Sequence, residues 1–363
     1  MGRDGCYTQN FTILGFCLMI FHQLFDETSS TYTYLLADKR GSDALIIDPV
    51  LEQVDEYLKI LGQNQLRLIK VVDTHLHADH FTAISKLRRL TGCITCAHEK
   101  NLSEKLSQRL TDGDTIGIDG IDLQVIYTPG HTNDSVCLYL ALHNMLFTGD
   151  TLFIRGNGRT DFQHGDPANL YDSVKNKIFS LPRHTIIYPG HDYKGEQFSS
   201  IGKEMTENKR FEGKTRSEFI EIMNTLDLPR PEMMDVVVPA NMRVGSIVDQ
   251  QHKPYASLSC AALTTRLTNE EINLIDLREA KEIEQHGTIE GIINIPYQML
   301  DKALTEDGEV DLILKKGKEV IFICAYGERS SLALDKVSET YIGQCAHLQD
   351  GFHDWLDQGY PSR

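Results

Sequence analysis

LIKVVDTHLHADH, residues 68–80, opens on an apolar, β-branched run and closes on His75, His77, Asp79 and His80. The run LIKVVDT reads as a strand. Two histidines two positions apart project side by side from an extended strand end, and Asp79 and His80 follow as the chain turns into a helix. Crowding imidazoles and carboxylates in this way serves one chemistry well, the holding of a borderline transition metal. Matching pieces recur downstream: His131 in TPGHT, Asp150 in FTGD and His191 in YPGHD. Each follows an apolar run and a glycine, where loops carry functional side chains over a rigid scaffold. His98, His143 and His164 lack that setting and read as ordinary surface or core histidines.

Outward from this segment the alternation of short apolar runs and punctuation continues. TYTYLLA, ALIIDP, LQVIYTPGH, SVCLYLA and NMLFTGD read as strands bounded by Gly, Pro, Asp or Asn. Helical periodicity is present at 51–61, 81–90, 167–179 and 216–226. Meandering strands with helices interspersed predict two sheets covered by helices. Pro229, Pro231 and Pro239, followed by a polar stretch from Arg243 to Pro254, read as breaks in regular structure. The expected division is a domain over 1–245, a linker over 246–257 and a second domain over 258–363. In the latter, NLIDLRE, GIINIP and KEVIFICA read as strands of a small α/β unit with a parallel sheet.

Composition narrows the function. Among 363 residues, 36 Lys plus Arg stand against 52 Asp plus Glu, a net charge of -16. Residues 1–250 carry 25 basic and 33 acidic side chains and 251–363 carry 11 and 19, so each part is -8. That field opposes phosphate-backbone binding and docking on an anionic membrane, so neither nucleic acid nor membrane is an expected partner. Eight cysteines without framework spacing fit a reducing cytoplasm. Cys93 and Cys96 form a CxxC, but three positions apart on a strand they face opposite sides. The run FTILGFCLMIF, 11–21, is too short to span a membrane. Arg3 beside Asp4 ahead of it, and no small-residue cleavage site after it, argue against an export signal. Met19 reads as the start of the natural chain, with 1–18 an extension.

The THLHADH segment with His131, Asp150 and His191 resembles the metallo-β-lactamase superfamily, which implies an αββα sandwich with the metal at one edge of the sheets. The residues alone supply enough ligands for two zinc ions bridged by Asp150, as in a thioester hydrolase similar to glyoxalase II. GRTDFQ, then YPGHDYKGE, then VPANMR resemble the persulfide dioxygenase branch of that superfamily over nearly all of 20–245. This resemblance implies one Fe(II) per chain on a face of two His and one Asp, by motif match His77, His131 and Asp150. His75, Asp79, His80 and His191 are then outer groups or ligands of an alternative second metal. Such a face leaves positions open for a persulfide and dioxygen. Arg159 and Tyr193 match family positions at the thiol-carrier site, where a guanidinium could pair a glutathione carboxylate and a phenol could hydrogen-bond bound ligand. Arg159 and Asp161 could equally pair with one another. Asn157 stands where the family often has Cys.

KEVIFICAYGERSSLALDKV, 318–337, is a strand ending in Cys324, a short loop and a helix starting near Ser330. Successive backbone N–H groups of the loop and the helix's positive end can cradle a sulfur anion. Together with LIDLRE, HGTIEGIINIP and GFHDWLDQGYP this resembles a rhodanese. The resemblance implies that Cys324 accepts sulfane sulfur, Gly327 permits the tight loop and Arg329 helps hold an anionic donor. Glu328 in a -8 domain works against that attraction. The expected partners of the whole chain are small molecules: persulfide, dioxygen, thiosulfate or sulfite, and glutathione. A homodimer is compatible with this reading. A binding module that only presents a persulfide is the contrasting reading of the C-terminal part.

Overall fold

The computed structural model describes residues 6–8, 19–226, 234–242, 256–269, 272–337 and 341–363. Most of the 11–21 run, Pro229, Pro231 and the expected linker up to 255 lie outside the described residues. The chain forms two compact units, one of residues 1–87 and 93–246 and the other of residues 88–92 and 247–363.

The larger unit holds two sheets. One has the order β1 (Cys6–Thr8), β2 (Ile20–Asp26), β3 (Thr31–Ala37), β4 (Asp43–Ile47), β5 (Arg67–Val72), β6 (Ile94–His98), β7 (Gln108–Leu110). It is antiparallel through β4 and parallel from there on. The other runs β13 (Ser199–Ser200), β12 (Ile186–Pro189), β11 (Met145–Gly149), β10 (Val136–Leu140), β9 (Ile121–Tyr127), β8 (Thr115–Ile118). Side-chain alternation gives each sheet two apolar faces. Phe21, Tyr34, Leu45 and Val72 meet Leu123, Leu138 and Phe147 between the sheets. On the outer face of the first sheet, Leu35, Ile46 and Val71 pack on α1 (Val54–Gln63) and α2 (Ile84–Thr91) through Tyr57, Ile60 and Ile84. Outside the second sheet, Cys137, Leu146 and Ile187 pack on α3 (Pro167–Asp172), a π-helical turn (Ser173–Ile178) and α5 (Arg216–Asn224), with α4 (Ile201–Glu207) beside them. The result is the αββα sandwich. Cys96, on β6, lies in the inter-sheet core, and Cys93, which precedes the strand by one residue, lies in the outer one.

Pro239 does not break regular structure: it lies inside α6 (Met234–Met242). A proline there removes one helical hydrogen bond. Asn241 compensates with bonds to three backbone groups of 77–82, so tertiary contacts override local propensity.

The smaller unit has a wholly parallel sheet, β14 (Ala256–Leu258), β18 (Cys345–Leu348), β17 (Glu319–Ile323), β15 (Ile272–Asp276), β16 (Ile293–Asn294). Along β17, Val320 and Phe322 face one core while Ile321 and Ile323 face the other. Helices α7 (Cys260–Asn269), α8 (Ala280–His286), α9 (Leu300–Ala303), α10 (Glu309–Lys315), α11 (Glu328–Lys336) and α12 (Gly351–Asp357) complete it. A buried bidentate pair, Arg278 with Asp276, ties the end of β15, and Arg278 also stacks over Phe352.

Candidate metal centre and cysteine loop

The candidate ligands leave the C-terminal ends of strands from both sheets: 75–80 after β5, His131 after β9, Asp150 directly after β11 and His191 after β12. Each imidazole is oriented by a bond at one nitrogen. His131 Nδ1 donates to the Arg159 carbonyl at 2.7 Å, His191 Nδ1 to the Ser30 carbonyl at 3.1 Å, and His75 Nδ1 lies 3.0 Å from Thr74 Oγ1. This leaves the Nε2 atoms of all three facing inward, the usual arrangement of a metal-binding histidine. His131 Nε2 is 3.4 Å from one Asp150 oxygen and His191 Nε2 is 3.4 Å from the other.

Behind them, Asp48 accepts from Thr74 N–H (2.7 Å), Thr74 Oγ1 (2.8 Å) and His77 Nε2 (3.1 Å). Asn241 donates to the carbonyls of His77 and His80 and accepts from Thr82 N–H, which fixes the histidine loop from outside. Burial, with His77 and His131 nearby, drives His75 well below its ordinary value, so it is neutral. Burial alone would lower His77 too, but Asp48 overcomes it and pushes it up to about 10. Burial would raise Asp79, yet His80 and His191 hold its carboxyl well below the usual range.

Donor atoms of His75, His131 and Asp150 all lie within 4.8 Å of one another, as do those of His77, Asp79 and His80, and those of Asp48, Asp73 and His77. Three buried atoms here, His77 Nδ1, His80 Nε2 and Asp150 Oδ1, have no hydrogen-bonding partner among the described residues. An unpaired buried polar group costs about 1–3 kcal/mol. The donor set and these orphaned atoms therefore fit a bound cation.

The centre lies against a cavity of about 590 Å³. Phe153, Phe162 and Tyr193 line its apolar wall. Gly158, on the same wall, is packed so closely that a Cβ would stand 2.3 Å from the Asp150 carbonyl and 2.8 Å from His131 Nδ1. Asn157 next to it is buried and donates to the Gly158 carbonyl and the Met223 sulfur.

In the smaller unit, Cys324 directly follows β17 and is buried. Its Sγ accepts from the N–H groups of Gly327 (3.2 Å) and Ser330 (3.4 Å), as the loop's curl suggested. Gly327 is required: its φ is +89°, and a Cβ would come within 1.8 Å of the Gln349 carbonyl.

Similarity to known proteins covers both units. The family described as "Metallo-beta-lactamase superfamily" matches residues 27–191, and "Rhodanese-like domain" matches 259–358. Over 227 residues the chain is 42% identical to the mitochondrial persulfide dioxygenases of Bos taurus and Homo sapiens, covering 62% of this chain and 89% of each relative. The chain belongs to the persulfide dioxygenase family. It carries a rhodanese-like domain in addition. The crystal structure of ETHE1 from Myxococcus xanthus is 48% identical with a TM-score of 0.61, covering 62% of this chain and all of that one. A metallo-β-lactamase structure from Staphylococcus aureus, 24% identical with a TM-score of 0.59, shares the fold over 92% of this chain and 99% of its own.

Against this family background two expected placements differ from the structure. The group of donors that takes in His131 and Asp150 includes His75 rather than His77. The reason is Asp48, which binds the His77 ring from behind. Arg329 does not reach towards an anionic donor: its fork is buried and bound to Glu282 at 2.8 and 2.6 Å. Arg159 is likewise occupied, with Asp161 at 2.7 and 2.8 Å and its plane over Phe162. Its contribution to the centre is its carbonyl on His131. Tyr193 stacks on His191 at the exposed rim. Sequence reasoning missed Asp48, Thr74 and Asn241. Asp48 follows an apolar run in ALIIDP but without the glycine that precedes His131, Asp150 and His191, and Asn241 lies within the quoted VPANMR string.

No helix among the described residues is long and apolar enough to cross a membrane.

Proposed function

We propose that the protein oxidises a low-molecular-weight persulfide, glutathione persulfide in the first place, at a single iron held by His75, His131 and Asp150. The observation that carries this reading is the donor set of two imidazoles and one carboxylate beside a small-molecule cavity, in a chain of this family. Persulfide, dioxygen and water give sulfite and thiol. The terminal sulfur loses four electrons, the number one dioxygen accepts. Iron supplies the redox chemistry that dioxygen requires and zinc lacks. The chain's own residues bind and orient: Arg159, Ser30 and Thr74 fix the three ring orientations, Phe153 and Phe162 exclude water, and Tyr193 offers a phenol at the rim.

The C-terminal domain, in the same proposal, moves sulfane sulfur between thiosulfate, sulfite and thiol through a Cys324 persulfide. Two inward N–H groups on Sγ support this. A reducing cytoplasm is the proposed setting.

One observation favours a second reading. Asp150 has each oxygen 3.4 Å from a different imidazole, the position of a bridging carboxylate, and His77, Asp79 and His80 form a second group. That would suit a binuclear zinc thioester hydrolase. Metal content measured together with oxygen uptake on a panel of persulfides decides. About one iron per chain and uptake only with persulfide is the expected result. Two zincs and oxygen-independent cleavage of S-acylglutathione would replace it with the second reading.

A further inference from the structure

Behind Cys324 runs a line of polar side chains that the loop's backbone cradle does not require. Ser330 Oγ lies 3.6 Å from Cys324 Sγ, within the longer reach of a sulfur hydrogen bond. His347 Nδ1, on β18, lies 3.2 Å from the same Ser330 Oγ. His347 Nε2 lies 2.9 Å from Ser257 Oγ, on the edge strand β14. Ser330 and His347 are 0% and 6% exposed, while Ser257 at the far end is exposed, so the line runs from a buried sulfur out to the surface.

A buried imidazole tolerates a change of charge only if its neighbours suit both forms. Here they do, because a hydroxyl can donate or accept. With neutral His347, Ser330 donates to Nδ1 while Nε2–H donates to Ser257. With charged His347, both ring N–H groups donate to hydroxyl oxygens, and Ser330 Oγ–H has the Gly327 carbonyl at 2.9 Å. The other basic group of the loop, Arg329, is bound to Glu282 and unsuited to taking a proton.

We propose that Ser330 and His347 take the proton of Cys324 during sulfur transfer, Ser330 as a catalytic residue in contact with the reacting sulfur and His347 as a positioning residue acting through it. The inference rests on the sulfurtransferase reading of this domain and deepens it. As the Cys324 proton passes to Ser330 Oγ, the serine's own proton moves to His347 Nδ1. The sulfur's electron pair forms the S–S bond to the sulfane sulfur of thiosulfate. The bond from that sulfur to the sulfonate breaks, and sulfite leaves with the pair. The products are a Cys324 persulfide anion, sulfite and a protonated imidazole. No external oxidant or reductant is needed. The persulfide then yields its outer sulfur to an acceptor thiol, and the proton returns along the same line.

The test uses the full chain and the variants Ser330→Ala, Ser330→Thr, His347→Gln and the double variant Ser330→Ala/His347→Gln. At one fixed pH, two rates are read: modification of Cys324 by methyl methanethiosulfonate, followed by the mass of its peptide, and sulfur transfer from thiosulfate to cyanide. The expected result is a loss of about tenfold or more in modification rate for each single variant, as removal of a proton acceptor predicts. Ser330→Thr should stay within about threefold of wild type, because it keeps the hydroxyl. The double variant should be no slower than the slower single one, since a line in series breaks only once. Unchanged modification in both single variants overturns the proposal, as do losses that multiply in the double variant. If the wild type modifies at Cys324 and transfers no sulfur, the sulfurtransferase reading falls, and the modification rates still decide the line.

Discussion

Around Asp150 the larger unit leaves three buried polar atoms without a hydrogen-bonding partner, whereas around Cys324 the smaller unit directs two backbone N–H groups at one sulfur, whose own proton faces the Ser330 hydroxyl oxygen. The first arrangement carries an electrostatic debt until a cation enters, and the second is complete as a protein. A metal site is therefore built as a deficit in the apo chain. A sulfur-carrying loop is built as a surplus of donors, ready for an anion before any substrate arrives.

The largest expected effect separates the two. His131→Ala or Asp150→Ala should reduce persulfide-dependent oxygen uptake at least about 100-fold, beyond the 10- to 100-fold typical of outer-shell changes. Thiosulfate-dependent sulfur transfer should stay at the wild-type rate. Cys324→Ser should do the reverse. Oxygen electrode and cyanolysis rates on the same preparations check both, and a variant that lost both activities would break the contrast.

A smaller effect probes how the deficit is held in place. Asn241→Ala removes the clamps on the carbonyls of His77 and His80 without touching a ligand. Metal affinity, measured by competition with a chelator, should fall about 10- to 100-fold. An affinity within twofold of wild type would mean that the loop needs no external clamp.

The smallest concerns the thiols. Burial pushes Cys137 up to about 11 and, together with Asp354, Cys260 up to about 12; burial and Glu319 push Cys345 up to about 12. The thiolate is the reactive form, and below those values these side chains remain thiols. At pH 8, modification of the folded chain should therefore fall on Cys324 ahead of these three, and the preference should shrink as pH rises towards 11. Peptide mass mapping across that range checks it.

Much of this was legible in the sequence, and the illegible part has a common physical origin. The strand runs, the αββα layering and the ligand residue types follow from local periodicity and from strand ends. So does the cysteine loop, whose donors come from within six residues of Cys324. What the order of residues could not reveal is direction. The donor atom of His75, not that of His77, groups with those of His131 and Asp150, and the His77 ring is instead bound by Asp48, which lies 29 positions before it. Arg329 turns inward because Glu282, 47 positions away, occupies its fork. Pro239 is accommodated in a helix because Asn241 reaches back across the fold. In each case the deciding partner is distant in sequence and close in space.

The crowding at Gly158 bears on how freely this chain can drift. Any side chain there would displace the Asp150 backbone and the His131 ring together, so the position admits no neutral exchange. Its neighbour Asn157 lines the same cavity and donates to the Met223 sulfur and the Gly158 carbonyl. Two adjacent residues thus face different constraints: at 158 the backbone leaves no room for any side chain, whereas at 157 a side chain is accommodated and held by Met223 and its own loop.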